Sequence, residues 1–345
     1  MDKIKKIFLY FIAFIFICFI LPVLLTSQKK EVSAEAINDN NSENIDIENE
    51  EQKNNSYKYQ RFGTIKLLHT KTGDIEEIPI DTYLCNVVSA EMPADYEMEA
   101  LKAQAVVART YTIYQISNSK GKHKGADICD DSTCCQAWIS KEDRFARWEE
   151  GKRETNWNKI VEAVNSTAGK VITYDGKPID AFFHSNSGGK TEIPVNVWGG
   201  TEFPYLQSVE TAGEDAYTQY SSNVTMTKDE LLNKLQEKHP EVEIDLNVQD
   251  AIKIIEYTEG GRVKTIKFGN IEISGVETRM CLGLKSTNFE VKIDGENIIF
   301  DVKGYGHGVG LSQTGSDSMA KNGSNYEEII NHFYTNVEIK DINSL

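Results

Sequence analysis

A glutamate set between an apolar run and a proline is the first residue whose surroundings suggest chemistry: Ser89-Ala90-Glu91-Met92-Pro93. Apolar neighbours desolvate a carboxyl and raise its pKa, which suits a general acid at neutral pH. The same placement fits a glutamate that simply ends a helix, because most perturbed acids are structural. Four soft metal ligands follow as His123-x5-Cys129-x4-Cys134-Cys135, in a polar loop with Asp127, Asp130 and Asp131. That set suits zinc. A disulfide among Cys129, Cys134 and Cys135 is the competing outcome in an outward-facing region. The odd thiol and the nearby histidine favour metal. Adjacent side chains diverge in extended backbone, so Cys134 and Cys135 can share one ion only across a turn. His123, Cys129 and Cys135 form the core set; Cys134, a water or substrate takes the fourth position. A closed set of four reads as structural and an open one as catalytic. Cys18, Cys85 and Cys281 lie in apolar runs and read as buried thiols.

Two further segments combine glycines, hydroxyls and a histidine. One runs from His184 to Glu192 (HSNSGGKTE) and is followed by Val197-Trp198-Gly199-Gly200 and Pro204-Tyr205-Leu206; the other runs from Gly304 to Gln313 (GYGHGVGLSQ). Glycine lets a ligand approach the backbone, and Ser, Asn and Gln offer the hydrogen bonds that sugars use. A pair of plain Gly-rich turns is the alternative. Neither serine sits in a G-x-S-x-G elbow. The glycines make no dinucleotide fingerprint, since the strand–helix unit with a following acid is missing.

These groups need elements to hold them. Ile65, Leu67 and His69 alternate before Thr72-Gly73-Asp74, which predicts a hairpin. Pro79–Ala90 predicts a short helix capped by Asp81. Met98–Ile116 predicts a longer one, with Leu101, Ala105, Val106, Ala108, Tyr111 and Thr112 at helical spacing. Trp157–Ala168 predicts another helix. Strands are expected at Lys170–Tyr174 and Asp180–His184, around an Asp175-Gly176 turn. Met226–Lys238 predicts a helix with a Thr227/Glu230 capping box. Strands at Val263–Phe268 and Ile271–Ile273 flank Gly269-Asn270. A hairpin crosses Asp294-Gly295, from Phe289–Ile293 to Asn297–Val302. Helices near Ser312–Lys321 and Tyr326–Tyr334 end the chain. Interspersed helices and hairpins predict an α+β fold rather than a doubly wound parallel sheet.

The chain has 345 residues, enough for one large domain or two small ones with accessory segments. Acidic residues outnumber basic ones, 53 to 37, for a net charge of −16, which excludes a nucleic-acid binder that works by bulk charge. Ile7 to Leu25 is an uncharged apolar run preceded by Lys3, Lys5 and Lys6. It predicts a single membrane span with a cytoplasmic N-terminus. A cleaved signal peptide has a shorter apolar stretch ending in small residues, whereas this run exits through Thr26, Ser27 and Gln28. Residues 29–60 show no apolar periodicity and read as an acidic tether, so the parts are 1–28 stub and anchor, 29–60 tether, and 61–345 ectodomain with a Cys/His-bearing insertion at about 118–156.

The blocks VSAEMPADYEMEALKAQAVVARTYT, FFHSNSGGKTE, VWGG with PYL, RMCLGLKSTNF and GYGHGVGLSQTG occur in that order. Over about residues 60 to 340 the chain resembles the stage II sporulation protein D family. The resemblance implies a two-lobed, hairpin-rich ectodomain with a substrate groove, and a peptidoglycan lytic transglycosylase acting in engulfment during sporulation. Such an enzyme cuts the β-1,4 bond between N-acetylmuramic acid and N-acetylglucosamine and leaves a 1,6-anhydro end. The resemblance makes Glu91 the catalytic acid and then base, so no second carboxylate at fixed distance is required, unlike ordinary glycosidases. Lys102 and Arg109, seven residues apart and on one helix face, then line the glycan groove. Ser187, Thr191 and Tyr205 fall at sugar-binding positions, and His307, Ser312 and Gln313 at pocket positions. Clostridial-type members carry zinc near this insertion, and Cys134-Cys135 departs from a His-Cys arrangement. The resemblance also implies stage II sporulation proteins P and M as partners, and a place in the mother-cell membrane facing the forespore. Two other classes stay open: a zinc amidase of the peptide stem, against which stands the lack of an H-E-x-x-H set, and a non-enzymatic, membrane-tethered glycan-binding scaffold.

Overall fold

The first described elements are a hairpin of β1 (Thr64–Leu68) and β2 (Ile75–Pro79), in register Ile65↔Ile78 and Leu67↔Glu76. The His69 carbonyl accepts the N–H groups of Thr72 and Gly73 and closes the turn. The computed structural model describes residues 57–118 and 121–345. The apolar span expected at 7–25 and most of the tether lie outside these residues. No helix among the described residues is long and apolar enough to cross a membrane. Folded structure begins a little earlier than residue 61. The Tyr57 hydroxyl donates to Asp341, and the Tyr59 hydroxyl donates to Asp81.

α1 (Ile80–Glu91) follows β2 directly and has no side-chain cap. Asp81, expected to cap it, lies in its first turn, and its carboxylate instead accepts from Tyr59 and Arg109. The Met92 N–H closes the last turn on Val88, and Pro93 prevents another. α2 (Met98–Asn118) is buried on every side. Besides the predicted apolar set it hides Ala103, Gln104, Val107, Arg109 and Thr110. A helix enclosed by its neighbours is a core element, and α1 before it and six later elements pack against it.

The Cys/His insertion then adds β3 (Ile128–Cys129), parallel to β1. α3 (Lys141–Arg147) was not expected from the sequence; Ser140 caps it by accepting the Asp143 N–H. α4 (Arg153–Ser166) starts earlier than the predicted Trp157. β4 (Lys170–Tyr174) turns at the expected Asp175-Gly176 but pairs with β5 (Lys177–Pro178) rather than with the strand expected at Asp180–His184. Its two-residue turn has Asp175 at φ 49 and Gly176 at φ 73. Positive φ at both positions matches the twist of a tight hairpin and favours Asp-Gly. The strand expected at Asp180–His184 shrinks to β6 (Phe183–His184). α5 (Pro194–Trp198) follows.

A second lobe occupies the stretch from β7 (Ser221–Thr227) to β12. After β7 come α6 (Lys228–Gln236), β8 (Ile252–Tyr257), β9 (Val263–Phe268), β10 (Ile271–Ser274), α7 (Gly275–Leu282), β11 (Asn288–Asp294) and β12 (Asn297–Lys303). The capping box is present, with Thr227 and Glu230 satisfying each other's backbone N–H. Thr227 also ends a strand, so the helix starts two residues later than predicted. Two antiparallel sheets, β10-β9-β8 and β11-β12-β7, enclose a separate apolar core that includes Phe268, Phe289 and Phe300. Cys281 is half-buried at its margin rather than inside it.

The chain then returns to the first lobe. β13 (Leu311–Ser312) pairs in parallel with β6, α8 (Gln313–Lys321) and α9 (Tyr326–Phe333) follow, and β14 (Glu338–Asp341) pairs antiparallel with β4. The fold is α+β with several small sheets, and two apolar cores account for the two lobes.

Candidate active site and metal cluster

Glu91 ends α1 at the wall of a cleft of about 610 Å³. Met92, Pro93 and Tyr96 continue the same wall; Arg144, Arg147, Trp148 and Lys152 supply another; Ser185 and Gln313 close it from the glycine-rich segments. Burial pushes the Glu91 carboxyl above the usual glutamate range. The Ala137 N–H, at 2.7 Å from Oε1, and the Gln313 amide act in the opposite sense by favouring the ionised form. Oε1 is held as an acceptor, which leaves Oε2 to carry the proton. This is the arrangement a general acid needs: a raised pKa and one oxygen fixed by a donor.

Of the other residues expected in the groove, Gln313 alone lines the cleft with Glu91. Arg109 is 0 % exposed, because its guanidinium donates to the carbonyls of Thr167, Lys170 and Val164 and to Asp81. It sews α2 to the α4–β4 connection. Lys102 is half-buried beside Glu99, 2.7 Å away, outside the cleft walls. Tyr205 is buried, and its hydroxyl accepts the Asp180 N–H. Thr191 clasps the 207–209 segment: its Oγ1 accepts from Val209 and donates to Gln207. His307 Nδ1 accepts the Val309 N–H, and its ring lies 5.1 Å from Trp198. Burial, with His184, Arg279 and Arg262 nearby, holds its pKa well below the usual value, so it is neutral. Arg109→Met is expected to destabilise the chain by about 3–5 kcal/mol, since it removes the donor from the carbonyls of Val164, Thr167 and Lys170 and the cation beside Asp81. Denaturant unfolding checks this. A variant of unchanged stability that lost glycan binding would return Arg109 to the groove.

The two glycine-rich segments serve each other first. Asn186 and Tyr305 exchange backbone hydrogen bonds. At Gly308, φ is +85 and a Cβ would lie 2.3 Å from Arg262 Nη2, so the close approach there is to a protein side chain rather than to a ligand. Two residues that sequence reasoning missed hold this layer. Arg262, 1 % exposed, reaches from the second lobe to the Ser187 carbonyl at 2.7 Å. Glu214, also 1 % exposed, accepts from the N–H groups of Ser187 and Gly189 and from the hydroxyls of Ser187, Thr211, Ser312 and Thr314. Ser312 and Thr314 flank Gln313, so Glu214 fixes the segment that faces Glu91. Ser187 and Ser312, expected to touch sugar, are spent on Glu214. An acid between Gly213 and Asp215, outside both glycine-rich segments, carries no local signal of this role.

His123, Cys129, Cys134 and Cys135 converge as their spacing predicted. One donor atom from each lies within 4.8 Å of all the others. The required turn is present: the N–H groups of Cys134 and Cys135 both donate to the Asp131 carbonyl. No disulfide joins these thiols. His123 Nε2 lies 3.3 Å from Cys135 Sγ and 3.9 Å from Cys134 Sγ. Ligands of a tetrahedral zinc with usual bond lengths stand about 3.5–3.8 Å apart; the two distances from His123 lie near that spacing, and the whole set, within 4.8 Å, is of a size to close on such an ion. The loop passes straight from Cys135 to Gln136, whose amide donates to Tyr83 and Thr112, and to Ala137, which holds Glu91.

Residues 68–174 match the family model described as SpoIID, stage II sporulation protein. The chain is 36% identical over 280 residues to stage II sporulation protein D of Bacillus subtilis (strain 168), covering 81% of this chain and 79% of that one. It is 34% identical over 283 residues to the Bacillus amyloliquefaciens protein of the same name, covering 81% and 80%. It is 30% identical over 299 residues to the amidase enhancer of Bacillus subtilis (strain 168), covering 73% of this chain and 39% of that one.

Proposed function

The chain belongs to the stage II sporulation protein D family, and from that premise we propose that it is a peptidoglycan lytic transglycosylase acting in engulfment during sporulation. The observation that carries this reading is Glu91, a carboxyl of raised pKa at the wall of an open cleft, with Oε1 held by Ala137. Protonated Glu91 donates from Oε2 to the glycosidic oxygen as the C1–O bond of N-acetylmuramic acid breaks. The C6 hydroxyl of the same sugar attacks C1 through an oxocarbenium-like transition state. Its proton returns to the Glu91 carboxylate. No water is consumed, and the acid is regenerated. The N-terminal apolar run anchors the enzyme with its cleft on the outer side, and stage II sporulation proteins P and M complete the complex.

His123, Cys129, Cys134 and Cys135 would hold a zinc ion whose chemistry is structural, because four protein ligands leave no open position. That closed set also argues against an amidase. Zinc analysis should find one ion per chain, and a chelator should lower the thermal midpoint by about 5 °C, in line with ligand-linked stability. An unchanged midpoint with the cluster thiols freely titratable would remove the ion.

Mass spectrometry of products from purified peptidoglycan tests the activity. Anhydro-muramic ends, lighter by one water than hydrolysed ends, are expected. Reducing ends would replace the one-carboxyl mechanism with hydrolysis. Free stem peptide would mean an amidase, and no product with zinc and denuded strands supplied would leave the scaffold. The pH profile follows from the raised pKa. Cleavage needs the protonated form, so kcat/KM falls as pH rises through the Glu91 pKa, above the ordinary glutamate range. An alkaline limb placed at an ordinary glutamate pKa would argue against Glu91 as the acid.

A further inference from the structure

The chain carries a net charge of −16, yet the cleft has a cationic wall built from Arg144, Arg147 and Lys152. Lys152 is matched by Glu149 at 3.1 Å. The two arginines, one turn apart at the end of α3, have no carboxylate within ion-pair distance among the described residues. Arg144 is half-buried, with its guanidinium 4.9 Å over the Trp148 ring and its Nε enclosed without a hydrogen-bond partner. Burial and the like charge of Arg147 both disfavour its cationic form. Placing two like charges side by side, one of them partly desolvated, costs free energy in the free protein, and a bound anion offsets it. Glu91, Asp95 and Glu149 also line the cleft, yet none of them stands within ion-pair distance of either arginine. The guanidinium fork matches a carboxylate in particular.

We propose that Arg144 and Arg147 form a carboxylate-binding subsite of the cleft, which reads the acidic groups of a peptidoglycan strand next to the bond that Glu91 addresses. This rests on the cell-wall reading given above. Two sources present that chemistry: the lactyl carboxylate of muramic acid once its stem is gone, and the carboxylates of an intact stem peptide. Trp148 holds Arg144 in place from below.

The test measures binding, with the full-length Glu91→Gln chain as parent so that no strand is consumed. The probes are denuded glycan strands, the same strands with carboxyls reduced to alcohols, peptide-bearing strands, and neutral chitin oligosaccharides. Arg144→Gln and Arg147→Gln should each weaken binding to carboxylated strands about tenfold, the scale of one charge-assisted hydrogen bond, and leave reduced strands and chitin unaffected. Arg144→Lys, which keeps the charge, should recover part of the loss, and unchanged thermal midpoints show that the variants fold. Loss on denuded strands assigns the lactyl group; loss confined to peptide-bearing strands assigns the stem. Equal loss on reduced and native strands, or no loss on either, overturns the subsite while leaving the role of Glu91 standing. A parent that binds none of the four probes removes the cell-wall reading itself, and the subsite with it.

Discussion

Glu91→Gln lowers the rate of glycan cleavage by about a thousandfold or more and leaves glycan affinity within about twofold. General acid–base catalysis contributes about 10²–10⁴-fold, and one group here serves both the protonation and the deprotonation, so its loss falls at the upper part of that range. The amide preserves the shape and can still accept the Ala137 N–H that now meets Oε1. Product release measured over time, beside strand binding by the same preparation, checks both halves. A Gln variant that cuts at a tenth of the parent rate would place the acid elsewhere. The variant should also be more stable at neutral pH. A carboxyl whose folded pKa is raised contributes stability that is full below its unfolded pKa and is lost as pH rises through the folded one. Once the pH has passed the folded pKa, the ionised, desolvated group therefore works against the fold, and the neutral amide does not. A gain of about 1–3 °C in thermal midpoint is expected, shrinking as the pH is lowered. A gain that grew on acidification would contradict the raised pKa.

Glu214→Gln should be among the most damaging single changes in the molecule. The carboxylate accepts two N–H groups and four hydroxyls, with Ser187 N at 3.0 Å, Gly189 N at 2.9 Å and Thr211 Oγ1 at 2.9 Å. A glutamine presents an NH2 group to part of a shell built of donors, so some of those buried donors lose their acceptor. Removing one member of a buried, charge-assisted network costs about 3–5 kcal/mol, and values that large are reserved for such sites. Denaturant titration should show the midpoint falling without a change in slope. A second effect distinguishes a positioning role from bulk destabilisation. Under conditions where the variant is still folded, kcat should fall more than glycan affinity, because Ser312 and Thr314 no longer fix Gln313 against Glu91. A variant with the parent's stability and rate would show that the six contacts are dispensable.

Local rules carried the sequence reading furthest. The Asp175-Gly176 turn, the Thr227/Glu230 box and the Cys/His cluster each depend on residues a few positions apart, and each is in place. Glu91 at the end of α1 was legible because Pro93 stops the helix there. Arg109 was not. A charge on a helix reads as exposed, and the carbonyls that neutralise it come from α4 and β4, far along the chain. Ser187 and Ser312 looked like sugar ligands for a similar reason: hydroxyls in glycine-rich turns satisfy either a glycan or a buried acid, and Glu214 lies in neither motif. α3, with its two arginines, was missed because it is short and its residues are half-buried or exposed, so no apolar stripe marks it. β7, β8 and β14 were missed because each buries at most one residue.

The partners of β4 and β6 set the order in which the molecule can become competent. β14 closes on β4, and β13 on β6, across the whole of the second lobe. Glu91 is in place early in a chain made from its N-terminus, whereas Gln313, which faces it, arrives among the final elements. Such distant pairings form late, since loop closure precedes the contacts that reward it. A nascent or truncated chain therefore holds the proton donor without the opposing wall. Under the proposed activity, this keeps the cutting tool inert during synthesis and export. The wall that resists turgor meets it only after the last strand has locked.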